Sequence, residues 1–303
     1  MIYTLTLNPS IDYVMSVENL TLGSVNRSDH EALYPGGKGI NVSRILKRIN
    51  QPTQALGFIA GFSGNYILDY LQEEGVDAAF IPVQGNSRIN VKIKGQEESE
   101  INGKGPVIQE GDLNKLFEMI DQLDPSASIV FAGSANPNLG NQIYMDLIRR
   151  AKDRGLTVAC DFEGQTLVDA IQFEPLLIKP NNHELGAIFG TSLTDRKDIV
   201  HYAKKLMEKG AQNVLVSMAG DGAILVCDQG AYWAKPIKGQ VANSVGAGDS
   251  MVAGFMAAYQ ETKDPIEALK LGVACGTATA FSPDLASAAA IAEILKKVEV
   301  ESI

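Results

Sequence analysis

Val245-Gly246-Ala247-Gly248-Asp249-Ser250 is the stretch whose residue types are best suited to chemistry. Small residues at Gly246, Ala247 and Gly248 leave backbone N–H groups uncovered where a helix begins. Several donors can then converge on one anion, aided by the positive end of the helix dipole. Asp249 follows directly. A carboxylate beside an anion hole repels the ligand unless it takes a proton or works with a metal. The plain alternative is an acid that caps a helix after a tight turn.

Pro35-Gly36-Gly37-Lys38-Gly39 opens a second helix, Ile40–Ile49, without the Gly-Lys-Ser/Thr ending of a Walker A loop. Gly36 and Gly37 leave room for a ligand at the helix start, where Lys38 adds a point charge and Asn41 a hydrogen bond. A tight strand–helix turn with a solvated lysine is the competing reading. Along this helix Ile45, Leu46 and Ile49 line an apolar face, and Arg44, Lys47 and Arg48 are expected to face water. Further on, Arg88 to Lys94 alternates strictly. Arg88, Asn90, Lys92 and Lys94 take one side, and Ile89, Val91 and Ile93 the other. Arg88 and Asn90 can grip one ligand from that shared face, whereas the lysines fit an exposed hairpin.

Two more places qualify. Asn181 and Glu184 are three apart, so at a helix start they share a side. There a carboxylate suits a hydrated Mg²⁺, or serves only as a cap. Ala219-Gly220-Asp221-Gly222-Ala223 either brushes a flat ligand or closes a hairpin, and on its own the hairpin is preferred.

The elements that must position these groups alternate. Ile2–Leu7 reads as a strand ending at Asn8-Pro9, which places Asp12 just beyond it. Ala55–Ile59 is a strand, followed by a Gly61–Gly64 turn and helix Tyr66–Glu74. From Leu113 the pattern is regular: helix Leu113–Leu123, strand Ser128–Ala132, helix Gln142–Lys152, strand Leu156–Cys160. Strand Leu176–Ile178, helix Ile199–Glu208, strand Asn213–Ser217 and the β run Ile224–Cys227 continue it. An aromatic β patch at Tyr232 and Trp233 precedes helices Ser250–Tyr259, Ile266–Thr279 and Ala286–Val298. Such alternation predicts a mostly parallel sheet covered on both faces, with ligand loops at the strand C-termini. Asp12, Ser134, Asp161, Asn181, Glu184 and Gly220 all fall there. Polar β segments near 13–33 and 87–103 break the rhythm and predict a small separate sheet. Gly272, Ala274, Gly276, Ala278 and Ala280 allow close approach of a helix or an adenine ring. With no repeat or linker, one domain is expected over residues 1–303.

Composition excludes several classes. A net charge of −10 argues against a general nucleic-acid or anionic-membrane surface. No apolar run is long enough to span a bilayer, and no secretory leader pattern opens the chain. Cys160, Cys227 and Cys275 lie far apart among apolar neighbours, as reduced core cysteines of a cytoplasmic protein do. A nicotinamide oxidoreductase should carry Gly-x-Gly-x-x-Gly after its first strand, and neither glycine turn does. A nucleotide-binding module without catalysis gains nothing from Asp249 beside an anion hole.

Four motifs in order give the chain a resemblance to the ribokinase-like (phosphofructokinase B) carbohydrate kinases over nearly its whole length. They are Thr6 to Asp12, Pro35 to Val42, Lys179 to Glu184, and Asn243 to Ser250. The resemblance implies an α/β fold, a three-layer α/β/α sandwich with a small β-sheet lid. It implies ATP-dependent phosphorylation of a sugar phosphate with Mg²⁺, and a homodimer formed through the lids. Fructose 1-phosphate is the expected acceptor, with tagatose 6-phosphate as the alternative. Asp249 would be the base and the N–H groups of Gly246, Ala247 and Gly248 the anion hole. Asp12, Gly36, Gly37, Asn41 and Asn90 would bind sugar hydroxyls, with Lys38 and Arg88 on the phosphate already present. Lys179, Asn181, Ser217, Gly220 and Gly222 would border the nucleotide, and Glu184 would reach Mg²⁺ through water. The chain departs from the family pattern at Ala135-Asn136-Pro137-Asn138, after Gly133-Ser134, and at Tyr34 before the second motif.

Overall fold

The computed structural model describes residues 1–303. The chain begins with β1 (Ile2–Thr6), β2 (Ser10–Ser16) and β3 (His30–Gly36), then α1 (Lys38–Arg48), β4 (Thr53–Ala60) and α2 (Gly61–Glu73). Next come β5 (Asp77–Val83), β6 (Arg88–Lys94), β7 (Glu98–Asn102), α3 (Glu110–Asp121), β8 (Ser128–Ala132) and α4 (Gln142–Asp153). Then follow β9 (Thr157–Asp161), α5 (Gly164–Ala170), β10 (Leu177–Ile178), α6 (Asn182–Phe189), α7 (Arg196–Glu208) and β11 (Asn213–Ser217). The last third holds β12 (Ala223–Cys227), β13 (Gly230–Ala234), α8 (Ala247–Thr262), α9 (Pro265–Ala280), α10 (Ala288–Leu295) and β14 (Val300–Ser302).

A ten-stranded sheet in the order β14-β13-β12-β11-β10-β9-β8-β1-β4-β5 forms the middle layer. Strands β5 to β11 along that order run parallel, and β12, β13 and β14 extend it antiparallel. Alternation along each strand sorts the core into two layers. In β8, Ile129 and Phe131 join the side chains of α3 to α7, while Val130 and Ala132 join those of α1 and α8 to α10. This is the three-layer α/β/α sandwich. Gly272 of α9 serves close helix packing: a Cβ there would lie 2.9 Å from the Met251 carbonyl oxygen of α8. No helix is long and apolar enough to cross a membrane.

A separate four-stranded sheet has the order β3-β2-β6-β7. Its central pair, β2 and β6, is parallel, with Ser10 opposite Arg88 and Asp12 opposite Asn90. Facing residues share one side of a sheet, so the four polar groups converge. The next row, Leu33, Tyr13, Val91 and Ile101, points the other way.

Several expectations are corrected. Asp12 lies inside a strand of the small sheet and not just past β1, because only three residues separate β1 from β2. Gly36 ends β3, so the glycine turn reduces to Gly37, with φ of 119°, before α1. The Gly61–Gly64 stretch is the first turn of α2. Arg44 is buried and does not face water, because Glu74 and Asp284 reach it from distant parts of the chain.

Candidate active site

One cavity of about 500 Å³ opens between the C-terminal ends of the central strands and the small sheet. Asp249 reaches it from the first turn of α8. Gly246 precedes that helix at φ of 78°, a conformation glycine adopts without strain, and no side chain caps the helix. The N–H groups of Gly248 and Asp249 find no backbone acceptor in the preceding loop. They are the free donors of an uncapped helix start.

The Asp249 carboxylate is buried, and its Oδ2 accepts a hydrogen bond from Asn41 Nδ2 at 2.8 Å. Burial pushes its pKa up to about 6, and the charge of Asp161 adds to the rise. The Asn41 hydrogen bond and the ammonium groups of Lys38 and Lys179 oppose it. At neutral pH the group is an ionised carboxylate with raised basicity, as suits a proton acceptor.

Asp161 ends β9 and joins two lysines. Lys179 Nζ stands 3.4 Å from its Oδ1, and Lys38 Nζ 3.8 Å from its Oδ2. Lys38 also donates to Glu163 Oε1 at 3.3 Å. Burial lowers the Lys38 pKa, but Asp161, Asp249 and Glu163 more than offset this and leave it above an ordinary lysine. Lys179 lies across the start of α8, where a Cβ on Gly248 would come within 2.9 Å of Nζ. The glycine admits the ammonium group, so a fixed positive charge supplements the free amides there.

The small sheet supplies the opposite wall. Asp12 Oδ1 accepts from Ser10 Oγ at 2.8 Å and from Asn90 Nδ2 at 2.9 Å, as the β2–β6 register dictates. Arg88 donates through Nε to the Asn8 carbonyl at 2.9 Å, which leaves its terminal nitrogens for the cavity. Burial lowers its pKa, with Asp12 opposing; the guanidinium stays charged. Thr6 Oγ1, Asn8 Oδ1 and Asn90 Oδ1 are buried without a partner on residues that line the cavity.

Of the expected residues, Asp12, Gly37, Lys38, Asn41, Arg88, Asn90, Gly246 and Asp249 line this cavity. Gly36 does not, but it backs Asp12: a Cβ there would lie 2.5 Å from Asp12 Oδ1. Ala247, Gly248 and Lys179 flank it at the start of α8. Asn181, Ser217, Gly220, Gly222 and Glu184 lie apart, at the ends of β10 and β11, where Asn181 and Ser217 form a bridge. Glu184 and Asn181 build a reciprocal capping box on α6, with both hydrogen bonds at 2.8 Å. The Ala219–Ala223 turn closes the antiparallel β11–β12 pair.

Sequence reasoning gave no role to Asp161, although it placed this residue at a strand end. Glu163, Asn8 and Ser10 also carry no role in the sequence analysis, although Asn8 and Ser10 lie in the motif that ends at Asp12. The atypical Ala135–Asn138 loop anchors the return from the small sheet. Asn136 Nδ2 donates to the Pro106 carbonyl at 3.2 Å, and Asn138 pairs with both backbone groups of Ile108.

The sequence profile of the pfkB family carbohydrate kinases matches residues 5–291. A 1-phosphofructokinase of Bacillus subtilis (strain 168) is 47% identical over 300 residues, which cover 99% of each chain. A D-tagatose-1-phosphate kinase of Bacillus licheniformis is 34% identical, again over 99% of each chain. The crystal structure of Escherichia coli phosphofructokinase-2 in complex with substrates and products is 27% identical and superposes with a TM-score of 0.93, covering 98% of this chain and 99% of that one. The chain belongs to the pfkB family of carbohydrate kinases.

Proposed function

We propose that this kinase transfers the terminal phosphoryl group of ATP to fructose 1-phosphate, giving fructose 1,6-bisphosphate and ADP. The observation that carries the reading is one cavity holding both a buried carboxylate beside an uncapped helix start and the cationic groups Arg88 and Lys38. A neutral sugar would have no use for two fixed cations, whereas a phosphate already on the acceptor pairs with both. The 47% identical 1-phosphofructokinase supports the same substrate.

In this mechanism Arg88 and Lys38 hold the existing phosphate, and Asp12, Asn41 and Asn90, with the Gly36–Gly37 backbone, orient the hydroxyls. The remote grip brings the terminal hydroxyl to Asp249, which accepts its proton as the new O–P bond forms and the bond to ADP breaks. The amides of Gly246 and Gly248, with Lys179, stabilise charge on the moving group, the Ala247 N–H being donated to the Ser244 carbonyl at 3.3 Å. Asn181, Ser217, Gly220 and Gly222 border the nucleotide. Mg²⁺ would neutralise the nucleotide phosphates. The cap on α6 uses only Oε2 of Glu184, which leaves its Oε1 to act on the ion through water.

A second reading is supported by the D-tagatose-1-phosphate kinase relative, whose substrate name places a phosphate on the same carbon. Initial rates of ADP release over fructose 1-phosphate, tagatose 1-phosphate, tagatose 6-phosphate, fructose 6-phosphate and fructose decide. The highest kcat/KM on fructose 1-phosphate supports the proposal. A preference for either tagatose phosphate or for fructose 6-phosphate refutes it.

The outer face of the small sheet carries Leu33 at 43% exposure and Ile101 at 65%. An apolar row opposite the ligand face asks for cover, and a second copy of the chain supplies it as a homodimer. Light scattering that returned the monomer mass at micromolar concentration with full activity would contradict this. The acidic surface and buried thiols suit a cytoplasmic enzyme.

A further inference from the structure

Helix α1 carries Asn41, Arg44 and Arg48 at i, i+3 and i+7, on one side. Asn41 holds the Asp249 carboxylate. The two arginines reach the segment 281–286 between α9 and α10. Arg44, 1% exposed, donates to Asp284 Oδ2 at 2.6 Å and Oδ1 at 3.3 Å, to both Glu74 oxygens at 2.9 and 3.0 Å, and to the Tyr70 hydroxyl at 3.3 Å. Arg48 donates to Glu74 at 2.6 Å and Asp284 at 3.4 Å, to the Ala286 carbonyl at 3.2 Å, and to the Leu285 carbonyl.

The clamped segment forms the back wall of the anion hole. A Cβ on Gly246 would sit 2.6 Å from Leu285 Cδ2, so the leucine fills the space glycine leaves. Asn243 Nδ2 donates to the Pro283 carbonyl at 3.3 Å. The N–H groups of Ala242 and Asn243 donate to the Ala280 carbonyl at 2.9 and 3.2 Å. Thr279 Oγ1 accepts from the Ala286 N–H at 3.1 Å and shares a hydrogen bond of 2.9 Å with Ser250 Oγ, which itself donates to the Gly246 carbonyl at 2.7 Å. The turn 243–246 is therefore braced at Asn243, on the Gly246 flank and at the Gly246 carbonyl.

We propose that Arg44, Arg48 and Asp284 are positioning residues for phosphoryl transfer: they seat Leu285 against Gly246 and so fix the amides of residues 246–248 relative to Asp249. Mere stability does not ask for such a network, since apolar residues of similar volume serve as well. Two planar forks shared between the Glu74 and Asp284 carboxylates provide direction, which packing alone supplies poorly. The side of α1 that bears Asn41 also bears the clamp, so base and anion hole share one rigid frame. The inference rests on the reading of Asp249 and the α8 start as the transfer site, but not on which sugar phosphate is the substrate.

The test uses whichever sugar phosphate the wild-type enzyme turns over best. Asp284→Asn keeps the shape and removes the charge. Leu285→Ala removes the wall, and Leu285→Met restores its volume. Misplacement by about 1 Å can cost about a hundredfold in rate, so Asp284→Asn and Leu285→Ala should each lower kcat at least about tenfold. Their KM for the sugar phosphate should stay within about twofold, and Leu285→Met should recover most of the rate. The pH midpoint of kcat/KM should not move, because Asn41 and Asp249 are untouched. If Asp284→Asn fails to fold, the Leu285 pair decides. A kcat near wild type in the folded variants, or kcat and KM worsening together as in general loosening, overturns the proposal.

Discussion

Asn41 Nδ2 donates to Asp249 Oδ2 at 2.8 Å, joining residues 208 positions apart in the chain. The hydrogen bond favours the ionised carboxylate and opposes the effect of burial. Asn41→Leu removes it, so the Asp249 pKa rises further. The acidic limb of kcat/KM should move to higher pH, and kcat at pH 7 should fall about tenfold or more. A pH–rate profile that superposes on wild type would remove Asn41 from this role.

The wild-type enzyme should show its own acidic limb. With Asp249 at about 6, the base is ionised at pH 7 and protonated below pH 5, so kcat/KM should fall about tenfold per unit below the midpoint. The stability effect has the opposite sign. The folded pKa is above the unfolded value of about 3.9, so folding binds the proton more tightly. This stabilisation is full below the unfolded value and is lost as pH rises through about 6. Asp249→Asn should therefore melt above wild type at pH 7, with the difference shrinking at pH 4.

Lys38 stands among carboxylates, 3.3 Å from Glu163 and 3.8 Å from Asp161. In the proposed mechanism a phosphate on the acceptor competes with Glu163 for it. A hydrogen bond to a charged group contributes roughly 1.5–3 kcal/mol, so Lys38→Met should raise KM for the sugar phosphate by about tenfold to a hundredfold. Unphosphorylated fructose, assayed at high concentration, should be affected far less. Equal losses on both acceptors would show that Lys38 does not hold the phosphate.

Substitution separates the observed cap made by Glu184 from the Mg²⁺ role proposed for it. Gln retains the reciprocal cap on α6, because its side-chain oxygen can still accept from the Asn181 N–H. Glu184→Gln should keep the fold and shift the Mg²⁺ activation curve to higher concentration. Glu184→Ala should do the same and also lose about 1 kcal/mol of stability. An unchanged Mg²⁺ titration in the Gln variant would leave Glu184 as a cap only.

The apolar strands Ser128–Ala132 and Asn213–Ser217 were legible to the residue, because both are buried short runs whose ends coincide with a change to glycine or polar residues. The polar alternation from Arg88 marked the small sheet for the same reason. Strand β5 escaped notice because Asp77, two alanines and Pro82 give it little β character, and its place at the sheet edge asks for little. Helical periodicity assigns the charge of Arg44 to water, whereas the side chain is buried. Its partners lie 30 and 240 positions away, where local pattern cannot reach. Asp161 is a similar case: only the placement of β9 beside β8 and β10 brings Lys38 and Lys179 to one carboxylate. Turn motifs thus mark the candidate groups that line the cavity, while the charges beside them depend on the sheet order.

The most direct measurement is steady-state turnover of Asp249→Asn with saturating ATP, Mg²⁺ and fructose 1-phosphate, beside equilibrium binding of both substrates. A positioned base contributes about 10²–10⁴-fold. Asp249→Asn should lose at least about a hundredfold in kcat, with binding of each substrate within a few-fold of wild type. Near-normal turnover in that variant would contradict the role of Asp249 as the base.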